Sequence, residues 1–157
     1  MSAGLSQRAF HHYIRAEQGE AFARNFAWST RIMRQLMRSK LHNGRVTDAN
    51  VVYIGSIEID VDLLEAVGLW VGERVLVVSN TTGARLETYT IAGKRGSRMI
   101  SMNGAAAKTI GAGEQIIVMG FEFSDKPVTP RVVLLDDENN IVRRLGKEDN
   151  DEARRDA

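Results

Sequence analysis

Apolar residues keep one rhythm along this chain up to about residue 40 and another after it. Between about 5 and 37 there is no proline, and Phe10, Ile14, Phe22 and Phe26 recur at multiples of four residues, which predicts a helical segment. Across its end, the basic run 31–40 interleaves Ile32, Met33, Leu36 and Met37 with its charges, the pattern of a packed edge rather than of a polyanion site. After Lys40 the runs become short and β-rich, at 45–46, 51–54, 57–59, 74–78, 86–91, 99–102, 115–119 and 132–135. Turn residues separate them, among them Asn80-Thr81-Thr82-Gly83 and Gly111-Ala112-Gly113. Many short strands at this spacing predict an all-β chain closed into a small barrel. Two short helices are expected: Asp60 or Asp62 caps 63–67, which Gly68 ends, and Asn103 caps a turn through Ala105, Ala106 and Ala107. The stretch 146–157 is almost wholly charged and reads as a solvated, disordered tail.

Composition removes function classes without choosing among those left. At 157 residues, 43% hydrophobic and 26% charged, the chain is an ordinary globular sequence with room for one modest core. A formal net charge of +1 gives no electrostatic argument for nucleic acid or an anionic membrane. The absence of cysteine excludes disulfides, thiolate metal sites and a cysteine nucleophile. Adjacent His11 and His12 do not share a helix face, so they make a poor metal pair. No apolar run approaches a membrane span, and 1–30 lacks the core of a secretory signal, so a cytoplasmic location is expected.

One dipeptide offers chemistry at the backbone itself. Gly55 has no Cβ, so its backbone is unusually free and its carbonyl carbon is open. The Ser56 hydroxyl, one residue on, can attack that carbonyl and shift the acyl group from nitrogen to oxygen. Elimination from the ester leaves Gly55 as a new C-terminus and dehydroalanine at 56. Hydrolysis then gives ammonia and a pyruvoyl group. A Gly-Ser pair is more often a plain turn, and Gly96-Ser97 repeats it here. Specificity has to come from the surroundings.

Those surroundings resemble the pyruvoyl-dependent aspartate 1-decarboxylases over about 32–133. Five pieces carry the resemblance in order: Ser39-Lys40-Leu41-His42, Tyr53-Ile54-Gly55-Ser56, Gly83-Ala84-Arg85-Leu86-Glu87-Thr88-Tyr89, Lys94-Arg95-Gly96-Ser97-Arg98, and Met102-Asn103-Gly104-Ala105-Ala106-Ala107. The resemblance implies a six-stranded double-psi β-barrel with short helices, assembled as a homotetramer with sites between subunits. It also implies a domain at 32–145, a helical or flexible N-terminal extension at 1–31, and the charged tail at 146–157. The extension is either a real addition or an upstream start assigned in place of Met33.

The resemblance further implies roles. Self-cleavage between Gly55 and Ser56, with Thr88 polarising the Gly55 carbonyl, makes the pyruvoyl cofactor from Ser56, and neither metal nor pyridoxal phosphate is needed. The ketone forms a Schiff base with the substrate amine. Arg85 grips a substrate carboxylate through a bidentate fork, and Lys40 adds a second cation, contributed by a neighbouring subunit. Tyr89 returns a proton to Cα. Asn103, Gly104, Ala105 and Ala106 bring backbone N–H groups and an amide to cofactor and substrate. His42 takes a hydrogen-bonding role, and Tyr53 lines the cleavage turn.

Four positions depart from the family pattern: Ile54 replaces a glutamate, Val52 a histidine, Ile57 a cysteine or small residue, and Val78 a tryptophan. The implied function is decarboxylation of L-aspartate to β-alanine for pantothenate synthesis. Two rivals are the same chemistry on glutamate, which Val78 motivates, and a non-catalytic barrel serving as a binding or scaffold protein. The need for a maturation factor is left open.

Overall fold

The structure is a computed structural model, and it describes residues 32–145. The expected extension at 1–31 and tail at 146–157 lie outside the described residues. Nine strands form in chain order: β1 Arg34–Arg45, β2 Asp48–Asn50, β3 Ile57–Asp60, β4 Arg74–Ser79, β5 Arg85–Gly93, β6 Ile100–Asn103, β7 Gln115–Ser124, β8 Arg131–Leu135 and β9 Ile141–Leu145. One helix, α1, spans Val61–Val67, and a 3-10 turn spans Gly104–Lys108. The hydrogen-bonded order is β2-β6-β3-β5-β4-β7-β1-β8-β9. The pairs β1–β8, β2–β6 and β3–β5 are parallel, while the other five are antiparallel. Parallel neighbours far apart in sequence require crossed connections. This is the all-β class that the sequence led us to expect, with nine strands among the described residues where the resemblance implied a barrel of six.

Alternation explains which strand faces close on the core. Val75, Val77 and Ser79 of β4 are buried, and so are Ile116, Val118 and Gly120 of β7, with half-buried residues between them. Leu41, Ile57, Ile59 and Val133 join them, and Leu63, Leu64 and Val67 of α1 close one side. Each such side chain contributes about 1.5–3 kcal/mol when fully buried.

Three expectations about elements need correction. Residues 34–40 are strand, not helix or edge, because β1 hydrogen-bonds to β7 on one side and β8 on the other. Two flanking ladders satisfy the backbone and override a weak helical spacing. Register shifts between Met37 and Ser39, and between Leu41 and Gly44, blur the strand's period of two. Residues 51–54 are an exposed turn, with Val52 91% and Ile54 95% exposed, although their side chains favour strands. Ile141–Leu145 is an additional strand that pairs with β8.

The basic run also finds its use. Arg38 Nη1 donates to the Gly68 carbonyl at 2.6 Å, and its other nitrogen pairs with Glu73. Ser39 Oγ donates to the Val67 carbonyl at 2.7 Å. Carbonyls left open at the end of α1 are thereby satisfied from β1. At the start of α1, Asp60 rather than Asp62 is the cap, accepting the Asp62 N–H at 2.9 Å, and Gly68 ends the helix at φ +71° as expected. Among the described residues no helix is long and apolar enough to cross a membrane.

Glu114 ties two turns to the barrel. Its carboxylate accepts the Gly111 N–H at 2.7 Å, the Ser79 hydroxyl, and the Thr82 hydroxyl at 3.1 Å. The Gly111 N–H first, and then the Ser79 hydroxyl, hold this carboxyl below the ordinary glutamate range. Such a group adds stability above its unfolded pKa and loses it as pH falls through the folded value. Glu114→Gln should therefore lower the urea midpoint at pH 7. Its deficit against the parent chain should shrink as pH falls below about 4. A deficit that is constant from pH 7 to pH 3 would remove the carboxylate from the account.

Candidate active site

Ser56 stands where the exposed turn enters the barrel. Val52 N–H bonds Asn50 Oδ1 at 3.0 Å, the chain swings out over 51–54, and Gly55 brings it back at φ +149°, a conformation that favours glycine. Ile57 then pairs with Thr90 of β5 on one side and Met102 of β6 on the other. One residue earlier, Ser56 is held in the same way: the Asn103 N–H donates to its carbonyl at 2.8 Å, and its hydroxyl donates to the Tyr89 carbonyl. Ser56 is only 4% exposed. A buried hydroxyl thus lies directly after a glycine peptide at the edge of a rigid sheet.

Asn103 supplies a vacant donor next to it. Its side chain is buried and makes no helix-cap bond, contrary to expectation. Oδ1 accepts from Ser101 Oγ at 3.2 Å, while Nδ2 is buried without a hydrogen-bond partner among the described residues. An orphaned donor of this kind costs about 1–3 kcal/mol, which an acceptor placed there would recover. Gly104 follows at φ +61°, and a β-carbon on it would stand 3.0 Å from the Gly55 carbonyl oxygen. The missing side chain at 104 is the space into which that carbonyl fits. Ala105 is exposed, and half-buried Ala106 packs on the core while its carbonyl accepts the Thr109 and Ile110 N–H groups at 3.0 Å.

The remaining sequence-derived candidates lie along β5 and on β1. Arg85, Glu87 and Tyr89 share the exposed face of β5, and Thr88 and Thr90 the inward one. Arg85 stands directly opposite Val78 of β4 and donates to the Gly83 carbonyl at 3.0 Å. The β3–β5 pairing begins at Ile57–Thr90, so Gly55 and Thr88 lie outside that ladder. No hydrogen bond joins the Thr88 hydroxyl to Gly55 among the described residues. Tyr89 is 48% exposed, and its contact with Ser56 is through its backbone rather than its phenol.

Lys40 is half-buried on β1 between Met119 and Val132, three strands from β5 in the sheet order. His42 shares its strand face, and its Nδ1 is buried without a partner, so the hydrogen bond expected of His42 is not made through that nitrogen. Burial first, and then the Lys40 charge, lowers the His42 pKa and keeps the imidazole neutral. The described chain therefore gathers Gly55, Ser56, Asn103, Gly104 and the Tyr89 backbone at one point, and it leaves Lys40 elsewhere. Sequence reasoning missed the Tyr89 carbonyl, Ser101 and Ile91, whose δ1 carbon lies against Gly55. Backbone partners and apolar neighbours leave no motif by which to find them.

A family model described as aspartate decarboxylase matches residues 32–142. An aspartate 1-decarboxylase of Bacillus velezensis is 50% identical over 119 residues, spanning 73% of this chain and 94% of that protein. Its counterpart from Bacillus subtilis is 47% identical with the same coverage. Among solved structures, the rationally designed mkDPBB_sym_86 protein aligns at TM-score 0.43 and 18% identity, over 55% of this chain and 96% of that one.

The seating of the Gly55 carbonyl against Gly104 can be measured as stability. In chains that also carry Ser56→Ala, so that all are compared uncut, Gly104→Ala and Gly83→Ala both introduce a side chain at positive φ, a cost of about 1–2 kcal/mol. A β-carbon at 83 meets nothing within 4 Å, whereas one at 104 meets the Gly55 oxygen. Gly83→Ala should lower the Tm by roughly 3–8 °C, and Gly104→Ala by clearly more. Equal shifts would show that the carbonyl does not depend on this gap.

Proposed function

The chain belongs to the aspartate decarboxylase family, and we propose that residues 32–145 form a self-processing domain that converts L-aspartate to β-alanine and CO2. The observation that carries this reading is the setting of Ser56: a buried hydroxyl after a glycine at φ +149°, with the orphaned Asn103 amide beside it. In the first step Ser56 Oγ leaves the Tyr89 carbonyl and bonds the Gly55 carbonyl carbon. The Gly55–Ser56 C–N bond breaks, and the hydroxyl proton passes to the Ser56 nitrogen. Loss of the Ser56 Cα proton expels the Gly55 carboxylate, and one water then replaces the nitrogen as ammonia. The sum is one water consumed, one ammonia released and a pyruvoyl group at position 56. Thr88, on the inward face of β5, is the proposed donor to the Gly55 oxygen as it becomes an oxyanion.

The pyruvoyl group supplies a ketone conjugated with an amide carbonyl, which together take up the electron pair left at the substrate Cα. Asn103 Nδ2, buried without a partner, is the proposed donor to a carbonyl oxygen of the cofactor or substrate. Arg85 holds the β-carboxylate through its fork, and the Tyr89 phenol returns the proton to Cα. Gly104, Ala105 and Ala106 leave room for the substrate beside the amide.

Lys40 stands on β1, three strands from β5 in the sheet order, and the proposed assembly is a homotetramer in which a neighbouring copy provides it. Glutamate remains a second substrate reading, favoured by one observation: Val78 is directly opposite Arg85 and leaves that wall of the site small.

Ser56→Ala should stay one uncut chain that releases no CO2, as intact mass and a carbon dioxide assay will read. Cleavage of that variant at the same bond would refute the acyl shift. Arg85→Lys should self-cleave normally but lose on the order of 30- to 1000-fold in kcat/KM for aspartate, the 2–4 kcal/mol of an unpaired carboxylate. Comparing aspartate with glutamate on processed enzyme decides the substrate. One methylene is typically worth ~1–3 kcal/mol, and the expected order is aspartate first.

A further inference from the structure

We infer that Ile91 is a positioning residue for the self-cleavage, an inference that rests on the reading above that Gly55–Ser56 is the bond cut. Ile91 lies on β5, level with Glu58 in the parallel pairing, and its side chain reaches back toward the turn. Its δ1 carbon stands 2.5 Å from the point a β-carbon on Gly55 would occupy. That methyl fills the side of Gly55 on which every other residue type carries its side chain. On the other side, the Gly55 carbonyl oxygen rests in the gap left by Gly104. The scissile peptide is therefore wedged between an apolar methyl at its α-carbon and an absent side chain at its oxygen.

The wedge has consequences because Gly55 itself holds no ladder position. The preceding turn is exposed, and glycine has the widest backbone freedom of any residue. Attack by Ser56 Oγ requires the Gly55 carbonyl carbon to stay within reach and correctly turned, and a misplacement of about 1 Å can cost as much as 100-fold in rate.

Valine and leucine at 91 separate this role from a structural one. Valine keeps the β-branched shape that suits a strand but lacks the δ1 carbon, whereas leucine loses the branch and keeps δ carbons. If Ile91 only stabilises β5, Ile91→Val is the milder change. If it positions Gly55, Ile91→Leu is milder. Newly synthesised full-length chain is followed by intact mass for appearance of the two fragments, with the Tm measured alongside in the Ser56→Ala background. Ile91→Val should slow cleavage about 10- to 100-fold, Ile91→Leu should stay within about threefold of the parent, and the Tm order should not follow the rates. Valine cleaving as fast as isoleucine, leucine cleaving more slowly than valine, or rates that track the Tm would each overturn the assignment. A parent chain that never cuts overturns the underlying reading instead, and this inference with it.

Discussion

The hydrogen bond from the Asn103 N–H to the Ser56 carbonyl is where a loose turn becomes part of a rigid sheet. Before it, four exposed residues hold no ladder position. After it, Ile57, Glu58 and Ile59 are paired on both sides. Pairing on two sides fixes the strand's translation and rotation, so the Ser56 Cα–Cβ bond can point only one way. A hydroxyl bound to the Tyr89 carbonyl completes the attachment. Had the serine stood two residues earlier, in the turn, its position relative to any carbonyl would have been an average over many conformers. The proximity that self-cleavage demands is thus inherited from the barrel and not from the turn.

Asp60 secures the other end of the same strand. It is 1% exposed and accepts three backbone N–H groups, from Asp62 at 2.9 Å, Gly96 at 3.1 Å and Arg98 at 2.6 Å. One carboxylate therefore starts α1 and folds down the loop between β5 and β6, the two strands that flank β3. Outside it, Arg95 pairs with Asp62 and Glu65 on the surface, where ion pairs contribute little. The Lys94–Arg98 piece that resembles the family is accounted for here as architecture: its backbone amides, more than its charges, keep β5 and β6 at the spacing Ser56 requires.

How much of this was legible follows from what kind of signal each feature leaves. The strands at 57–59, 74–78, 86–91 and 115–119 were readable because alternation and turn residues agree locally, and so was the stop at Gly68, while the cap was narrowed only to Asp60 or Asp62. The strand at 34–45 was hidden because its bulges break the period of two and its stability comes from neighbours far along the chain. Val52 and Ile54 misled because their shape favours strands, yet no strand lies beside them to pair with. At the candidate site, residue types with chemistry were found by resemblance to the family. Asn103 was read as a helix cap, because sequence cannot tell a side chain that bonds its own turn from one left without a partner. Ile91 left no signal, since a methyl against a glycine resembles any other packing contact.

The two halves of the proposed chemistry make opposite demands on one strand. The proposed self-cleavage uses β5 through its main chain and inward positions: the Tyr89 carbonyl holds Ser56, and Thr88 is the proposed donor to the Gly55 oxygen. Decarboxylation uses the outward positions, where Arg85 and Tyr89 are open to solvent on the single chain. An arginine fork gripping a carboxylate in open water gains little, because solvent competes for both partners. It becomes selective only where water is excluded, and on this chain no covering element lies over that face among the described residues. A site completed by a neighbouring copy meets that requirement and brings Lys40 with it. The proposed cleavage makes no demand on that face, since Ser56 is 4% exposed and held by β5 and β6 of its own chain. On the proposed reading, processing needs only one chain, while substrate turnover waits on assembly.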